Sequence, residues 1–152
     1  MLSFGTQEFF DSLKQVLNQD QRFRELGKGS YNARELIEIM DLGIGIWQET
    51  IDGEVMAFDL IKKNEVKDYE SKADLTYSVE SYEAMVKIST GQESFVELVI
   101  SDAIVFRGSM KLVMSIQAAS ERMETILRDS TKKIIIPTRI QYQKWLSERG
   151  YI

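Results

Sequence analysis

Residues 43–61 have the sequence GIGIWQETIDGEVMAFDLI, and this stretch decides the fold class. Two apolar-rich runs flank Asp52-Gly53, a dipeptide whose positions both tolerate the positive φ of a two-residue hairpin turn. Alternation in the second run places Met56, Phe58 and Leu60 on one face of a strand. The stretch therefore predicts an antiparallel β-hairpin.

Strand-like sequence continues on both sides of the hairpin. Residues 35–42 fit either a helix or a strand, and their place before a β-rich segment favours the strand. Leu75, Tyr77 and Val79 alternate with polar residues and predict another strand, and the run at 103–106 predicts a short last one. The middle of the chain is therefore expected to supply most of a sheet.

Helical periodicity governs the rest of the chain. Thr6, Ser81 and Ser94 each precede an apolar-periodic segment, where a hydroxyl side chain accepts hydrogen bonds from free amides of the first turn. The predicted helices cover residues 6–18, 20–26, 81–90, a short segment after Ser94, 109–128 and 139–149. In the short segment, Phe95, Leu98 and Val99 are expected to face inward.

The order of these elements predicts an α+β fold. The order is a helical start, three or four antiparallel strands, two helices, a strand and a long helix, and such clustering of the strands in the sequence favours one sheet with helices over one face. No internal repeat, low-complexity segment or Gly/Ser/Pro-rich linker interrupts the chain. A single domain spanning residues 1–152 is therefore expected.

Composition excludes several classes of catalytic site. The chain has no Cys and no His, so a thiolate nucleophile, a Ser–His–Asp triad and a Cys- or His-ligated metal centre cannot be built from it. The 24 Asp and Glu residues leave carboxylate-only catalysis open. Gly43 and Gly45 fit neither a dinucleotide loop nor a phosphate loop, so no cofactor and no metal are expected.

Charge and hydropathy limit the partners. The net charge is −5 and the 19 basic residues are scattered, which argues against nucleic acid as the main partner. No apolar run is long enough to span a membrane, and the N-terminal residues lack the pattern of a secretory signal. A cytoplasmic protein without an integral membrane segment is therefore expected.

The predicted long helix is apolar around more than one stripe. A helix that only covers a sheet needs an apolar arc of about 100°, and residues 110–119 exceed it. The second surface therefore faces a cavity, another helix such as the C-terminal one, or a second subunit. Methionines suit a compliant pocket or equally a plain core; they are Met56, Met85, Met110, Met114 and Met123.

Two segments carry a family resemblance. Residues 72–79, KADLTYSV, resemble the Lys-Ala-Asp-x-Thr strand of the sterol carrier protein type 2-like family. Residues 102–110, DAIVFRGSM, resemble the family's strand and turn into a long apolar helix. The resemblance covers about residues 31–127, while Asp102 and Ser109 depart from the usual Gly and Asn, and residues 129–152 form an extension outside it.

The resemblance implies a five-stranded, mostly antiparallel sheet covered on one face by helices, with the C-terminal helix as an addition. It also implies an apolar tunnel between sheet and helices for an acyl chain, a sterol-like molecule or an isoprenoid lipid. By position, the tunnel is expected to be lined by Met85, Val86, Phe95, Leu98, Val99, Phe106, Met110, Val113, Met114 and Ile116. A candidate lid, in the C-terminal helix, would comprise Tyr142, Trp145 and Leu146.

Three functions follow as hypotheses. The first is a non-enzymatic carrier or sequestering protein for an apolar small molecule or lipid. The second is an accessory module whose apolar helix binds another protein or a second copy as a homodimer, with its pocket filled by side chains. The third is an enzyme that uses carboxylates alone.

Overall fold

A computed structural model describes residues 1–152, which form seven α-helices and five β-strands. A single 3-10 turn, Lys63–Glu65, leads into α3. The strands are β1 (Ala33–Ile39), β2 (Ile44–Ile51), β3 (Glu54–Ile61), β4 (Leu75–Val79) and β5 (Ile104–Gly108). The helices are α1 (Gln7–Gln19), α2 (Gln21–Gly27), α3 (Val66–Glu70), α4 (Tyr82–Thr90), α5 (Phe95–Ile100), α6 (Met110–Thr131) and α7 (Arg139–Glu148).

The strands form one mixed sheet in the order β3-β2-β1-β4-β5. β1 pairs with β4 in parallel, and the other three pairings are antiparallel. The predicted α+β class with a five-stranded, mostly antiparallel sheet is confirmed. The ambiguous segment at 35–42 is a strand through Ile39, as its β-rich surroundings favoured.

The predicted hairpin joins β2 to β3 through Asp52 and Gly53, whose φ angles are +49° and +77°. One expectation about its faces is wrong. A bulge shifts the register near Thr50, so Thr50 pairs with Val55, Glu49 pairs with Ala57, and Met56 is left over. Because an extra residue reverses the alternation, Val55 is buried beside Phe58, whereas Met56 is half exposed.

The predicted helix caps form as expected. The hydroxyls of Thr6, Ser81 and Ser94 accept hydrogen bonds from the backbone amides at the third residue after each. Gly91 ends α4 in the left-handed conformation, with φ +78°. The long helix α6 runs to Thr131, three residues beyond the predicted end. No helix is both long enough and apolar enough to cross a membrane.

The main core lies between one face of the sheet and all of the helices except α3. The opposite face is partly covered by α3, which the sequence patterns did not predict. There Trp47 packs with Leu36 and Ile61, and Tyr69 of α3 meets the Trp47 ring edge-on at a centroid distance of 5.1 Å. The sheet is therefore covered mainly, but not only, on one face.

The two edge strands of the sheet, β3 and β5, differ in the hydrogen bonds at their outer edges. On β3, the Gln7 side chain donates to the Phe58 carbonyl and accepts from the Leu60 amide, and the Asn18 side chain does both with Val55. No side chain of the protein bonds to the outer edge of β5. The Glu80 amide bonds the Ala103 carbonyl, so alternation along the ladder turns the backbone groups of Phe106 away from β4 and into solvent.

Candidate apolar binding site

A small cavity of about 60 Å³ lies between the sheet and the helices. Its walls are almost wholly apolar, and Gln48 and Ser89 are the two polar residues that line it. The apolar residues come from the N-terminal segment and α1, from β1–β3, and from α4 and α6. They are Phe4, Phe9, Phe10, Leu13, Ile37, Ile46, Phe58, Met85, Met123 and Leu127.

A buried polar network adjoins this cavity. Glu35 of β1 accepts hydrogen bonds from the Tyr31 hydroxyl at 2.5 Å and from the Tyr77 hydroxyl at 2.9 Å. The Gln48 amide, which lines the cavity, donates to the Tyr31 hydroxyl and to Thr50 Oγ1, each at 3.2 Å. Gln48 therefore connects the cavity to a buried carboxyl group.

Burial controls the pKa values of this network. Desolvation raises the pKa of Glu35, and the hydrogen bonds from Tyr31 and Tyr77 oppose part of that rise. Desolvation also raises the pKa of Tyr31 and of Tyr77, and the neighbouring Glu35 carboxylate raises them further. Both phenols consequently remain protonated donors at physiological pH.

The β4–β5 side of the helix-covered face is incompletely covered. The Tyr77 ring lies between two phenylalanine rings, with centroid distances of 5.7 Å to Phe95 and 5.8 Å to Phe106. All three aromatic residues are half-buried although they face the helices. Solvent therefore reaches the rim of the aromatic group whose central hydroxyl binds Glu35.

The ten predicted lining residues occupy three kinds of surroundings. Met85 lines the cavity, and Leu98 and Ile116 are buried in the core. Half-buried positions around the main core hold Val86, Phe95, Phe106 and Val113. Exposed positions hold Val99, Met110 and Met114. Their role in lining a tunnel stays a prediction.

Val99 does not face inward as expected. It lies on α5, a six-residue helix in which Leu98 is buried, and 37% of Val99 is exposed. So short a helix presents less than two turns, and one buried position uses most of its inward face.

The three residues of the candidate lid lie in tightly packed surroundings. Tyr142 and Leu146 are buried, and the Tyr142 hydroxyl donates to the Gly5 carbonyl at 2.9 Å. Trp145 stacks on Tyr142 at a centroid distance of 6.1 Å. At the start of α7, Arg139 binds the carboxylates of Asp41 and Glu83. The lid role stays a prediction, and it would require the Tyr142 and Leu146 side chains to leave the core.

Sequence patterns missed the polar centre of this region. Glu35 and Gln48 occupy directly paired positions on β1 and β2 and face the helices, where alternation favours apolar residues. Two polar residues at inward positions of neighbouring strands would have been the signal. The ambiguity of residues 35–42, which left their faces unassigned, hid it.

A larger concavity, of about 570 Å³, is an open groove on the outside of α1 and α6. The ion pair between Asp20 and Arg122, at 2.7 Å, lies along it, and Met1 at its rim is almost fully exposed. The paired charges make this groove a poorer fit to an apolar ligand than the space between sheet and helices.

Acidic residues do not gather into a metal site. No group of three or more His, Cys, Asp or Glu residues has metal-binding geometry. Glu38 and Glu70 approach each other on the α3 side of the sheet, and Arg107 lies 3.8 Å and 3.3 Å from them. Burial is the main reason that the pKa of Glu38 is raised, and the Glu70 carboxylate adds to it.

Solved structures of other proteins have a similar architecture. A crystal structure of sterol carrier protein 2 superposes with a TM-score of 0.68 at 10% identity, covering 82% of this chain and 96% of that one. A conserved hypothetical protein from Thermus thermophilus, suggested to be a sterol carrier protein, gives 0.68 at 10% identity, with coverages of 88% and 91%.

One part of an enzyme has a similar fold. A stereoselective inverting sec-alkylsulfatase from Pseudomonas matches with a TM-score of 0.52 at 16% identity, over 74% of this chain but 15% of the sulfatase. No protein-family model and no curated protein sequence matches the chain. The resemblance inferred from residues 72–79 and 102–110 is thus confirmed at the level of structure: the chain has the sterol carrier protein 2 fold.

Proposed function

We propose that the chain binds an elongated apolar molecule between its sheet and its helices, and that it acts as a carrier or sequestering protein without enzymatic activity. The observation that supports this most is the incompletely buried aromatic group formed by Tyr77 and Phe106 on the helix-covered sheet face and by Phe95 on α5. Apolar side chains in that position lose contact with water when a ligand covers them.

The cavity sets a condition on binding. Its volume of about 60 Å³ is well below the roughly 300–1,000 Å³ of ordinary ligand pockets. A ligand must therefore enlarge the space by moving side chains or helices. Met85 and Met123 line the cavity, and their unbranched side chains adapt readily to a new shape.

The energy available is large enough for tight binding. Each methylene group removed from water contributes about 0.8 kcal/mol, so a ten-carbon chain gains about 8 kcal/mol before the entropy of association is subtracted. The opening of the site must cost less than this sum. We expect two partly exposed parts to move: helix α5, and helix α6 around Val113.

The test measures uptake directly. Purified protein is analysed by native mass spectrometry and solvent extraction, and then titrated with a pyrene-labelled decyl chain. Saturable uptake is expected, and Val113→Trp, which fills the half-buried flank of α6, should weaken it by about tenfold. Ile140→Trp is the matched control, because Ile140 is 78% exposed on α7. Absence of both co-purified lipid and saturable uptake would overturn the proposal.

The non-enzymatic part of the proposal has its own test. Glu35 is enclosed between two tyrosine hydroxyls and has a hydrogen-bonding role without a reacting partner. Incubation with a secondary alkyl sulfate should release no inorganic sulfate. Release that Glu35→Gln abolishes would show carboxylate catalysis and contradict this part.

A second candidate function is an interaction module. The free edge of β5 and the exposed side chains of Val96, Ile100 and Met114 favour it, because unpaired strand edges and apolar patches bind other chains. Analytical ultracentrifugation would show a mass that rises with concentration. Met114→Glu should abolish the rise, whereas Met40→Glu, exposed on the β1–β2 connection, should not. A constant monomer mass would contradict self-association.

A further inference from the structure

The interior of the proposed binding region contains one fully buried carboxyl group. Glu35 lies on the same face of β1 as Ile37, a cavity-lining residue two positions further along the strand. Its two oxygens accept one hydrogen bond each, from Tyr31 and from Tyr77. A carboxylate has about four acceptor positions, so about two remain for additional donors.

No basic side chain balances this group. The one charged residue that perturbs the pKa of Glu35 through its field is Asp74, which is also acidic. Another partly buried acid is Glu124 of α6, whose pKa is raised mainly by desolvation. The region is therefore rich in acceptors and acid groups, and the hydroxyl donors facing Glu35 are already engaged.

Tyr77 links Glu35 to the open rim. Its hydroxyl donates a hydrogen bond to the carboxyl group, while its partly exposed ring lies between Phe95 and Phe106. A ligand that enters over this aromatic group with its polar end first arrives beside the Tyr77–Glu35 hydrogen bond. Whatever polar group the ligand carries must then find a partner there, because burial of an unpaired polar group is unfavourable.

Two kinds of polar end differ sharply at this point. A hydroxyl or an ammonium group donates hydrogen bonds to the free acceptor positions of Glu35. A ligand carboxylate would instead place a second negative charge in a region of low dielectric constant without a counter-ion. The same apolar tail is therefore accepted or rejected according to its head group.

We propose that Glu35 determines specificity, and that the ligand is an amphiphile whose polar end donates hydrogen bonds, an alcohol or an amine, in preference to a fatty acid carboxylate. The inference rests on the proposed function, since it assumes a ligand in this region. It adds the chemical class of the head group and the residue that selects it.

Competition among matched chains tests the inference. Decanol, decylamine and decanoate each displace the pyrene-labelled decyl probe at pH 7.5 and equal ionic strength. Decanol and decylamine should displace it at concentrations about tenfold lower than decanoate. In Glu35→Gln the ratio of the displacing concentration of decanoate to that of decylamine should fall by about tenfold, while Glu121→Gln, an exposed position on the same helix as Glu124, should leave this ratio unchanged.

The outcomes separate the two proposals. Saturable probe binding with decanoate as effective as decylamine would overturn the inference and leave the proposed function standing. An unchanged ratio in Glu35→Gln, with a native circular dichroism spectrum, would do the same. If Glu35→Gln does not fold, Tyr77→Phe, which removes one hydrogen bond to Glu35, should change the same ratio. Absence of any probe binding would overturn both.

Discussion

The two halves of the helix-covered sheet face differ in the burial of their aromatic side chains and in the hydrogen bonding of their edge strands. In the sealed half, formed by β2, β3 and α1, the aromatic side chains that face the core are buried, and side-chain amides occupy the edge of β3. In the open half, formed by β4, β5, α5 and residues 110–120 of α6, aromatic residues remain partly exposed and the edge of β5 is free. The comparison indicates that the sealed half contributes more to stability, and the open half is where the proposed ligand would require a change of shape.

The largest expected effect comes from the aromatic core of the sealed half. Phe10 is 2% exposed and stacks on Phe58 at a centroid distance of 5.3 Å. Phe10→Ala should lower the free energy of unfolding by about 3–5 kcal/mol, because it leaves a cavity that the neighbours cannot fill. Phe106→Ala, in the open half, should lower it by about 1–2 kcal/mol. Equal losses in urea unfolding would contradict the distinction between the halves.

The next effect concerns the edge of β3. Asn18→Ala removes hydrogen bonds to both the amide and the carbonyl of Val55, at 2.8 Å and 2.9 Å. The free energy of unfolding should fall by about 1–3 kcal/mol, and the Val55 amide should exchange faster with deuterated water. Gln21→Ala is the control, because Gln21 binds the exposed Glu25 alone. An unchanged exchange rate at Val55 would show that the edge is protected by other means.

The free energy of unfolding is expected to depend on pH through Glu35, which lies between the two halves. Its pKa is raised above the ordinary value of 4.5, so between pH 4.5 and the raised pKa the folded protein binds more protons than the unfolded chain. The contribution of Glu35 to the free energy of unfolding therefore falls as pH rises, by at most about 1.4 kcal/mol per pH unit. Subtraction of the Glu35→Gln profile from the wild-type profile isolates this slope. A difference that rises with pH would contradict the sign.

The smallest effect is expected at the free edge. Val105 of β5 is 53% exposed, whereas Val55 of β3 is 2% exposed. Val105→Thr should change the free energy of unfolding by no more than about 0.5 kcal/mol. Val55→Thr, the same change at the other edge, should lower the free energy of unfolding by about 1–3 kcal/mol, because it buries a hydroxyl group without a hydrogen-bond partner. Thermal unfolding of the two variants distinguishes the edges, and similar losses would remove the contrast.

Local patterns in the sequence were sufficient for most of the framework. Asp52-Gly53 specifies its turn, and Thr6, Ser81 and Ser94 specify the starts of helices, because each acts on residues within three positions. Met56 was misassigned because a bulge depends on how two strands pair. The helix α3 is only five residues long and carries little periodicity of its own.

The candidate site was less predictable than the framework. Glu35 binds Tyr31, four residues away, and Tyr77, 42 residues away, so its environment exists only after β1 and β4 have paired. Alternation reports which face a side chain takes and says nothing of the partner it meets there. Apolar residues such as Met85 were easier to place, because any inward position suits them.

The hydrogen bonds from side-chain amides of α1 to the edge of β3 affect the order in which the chain folds. Gln7 precedes the Phe58 and Leu60 backbone groups that it binds by 51 and 53 positions, and Gly5 precedes Tyr142 by 137. A ribosome adds residues at about 5–20 per second, so α1 waits on the order of several seconds for its strand. During that interval Phe9 and Phe10 have no sheet to cover them. α1 is therefore expected to dock only after β3 has been synthesised and paired with β2.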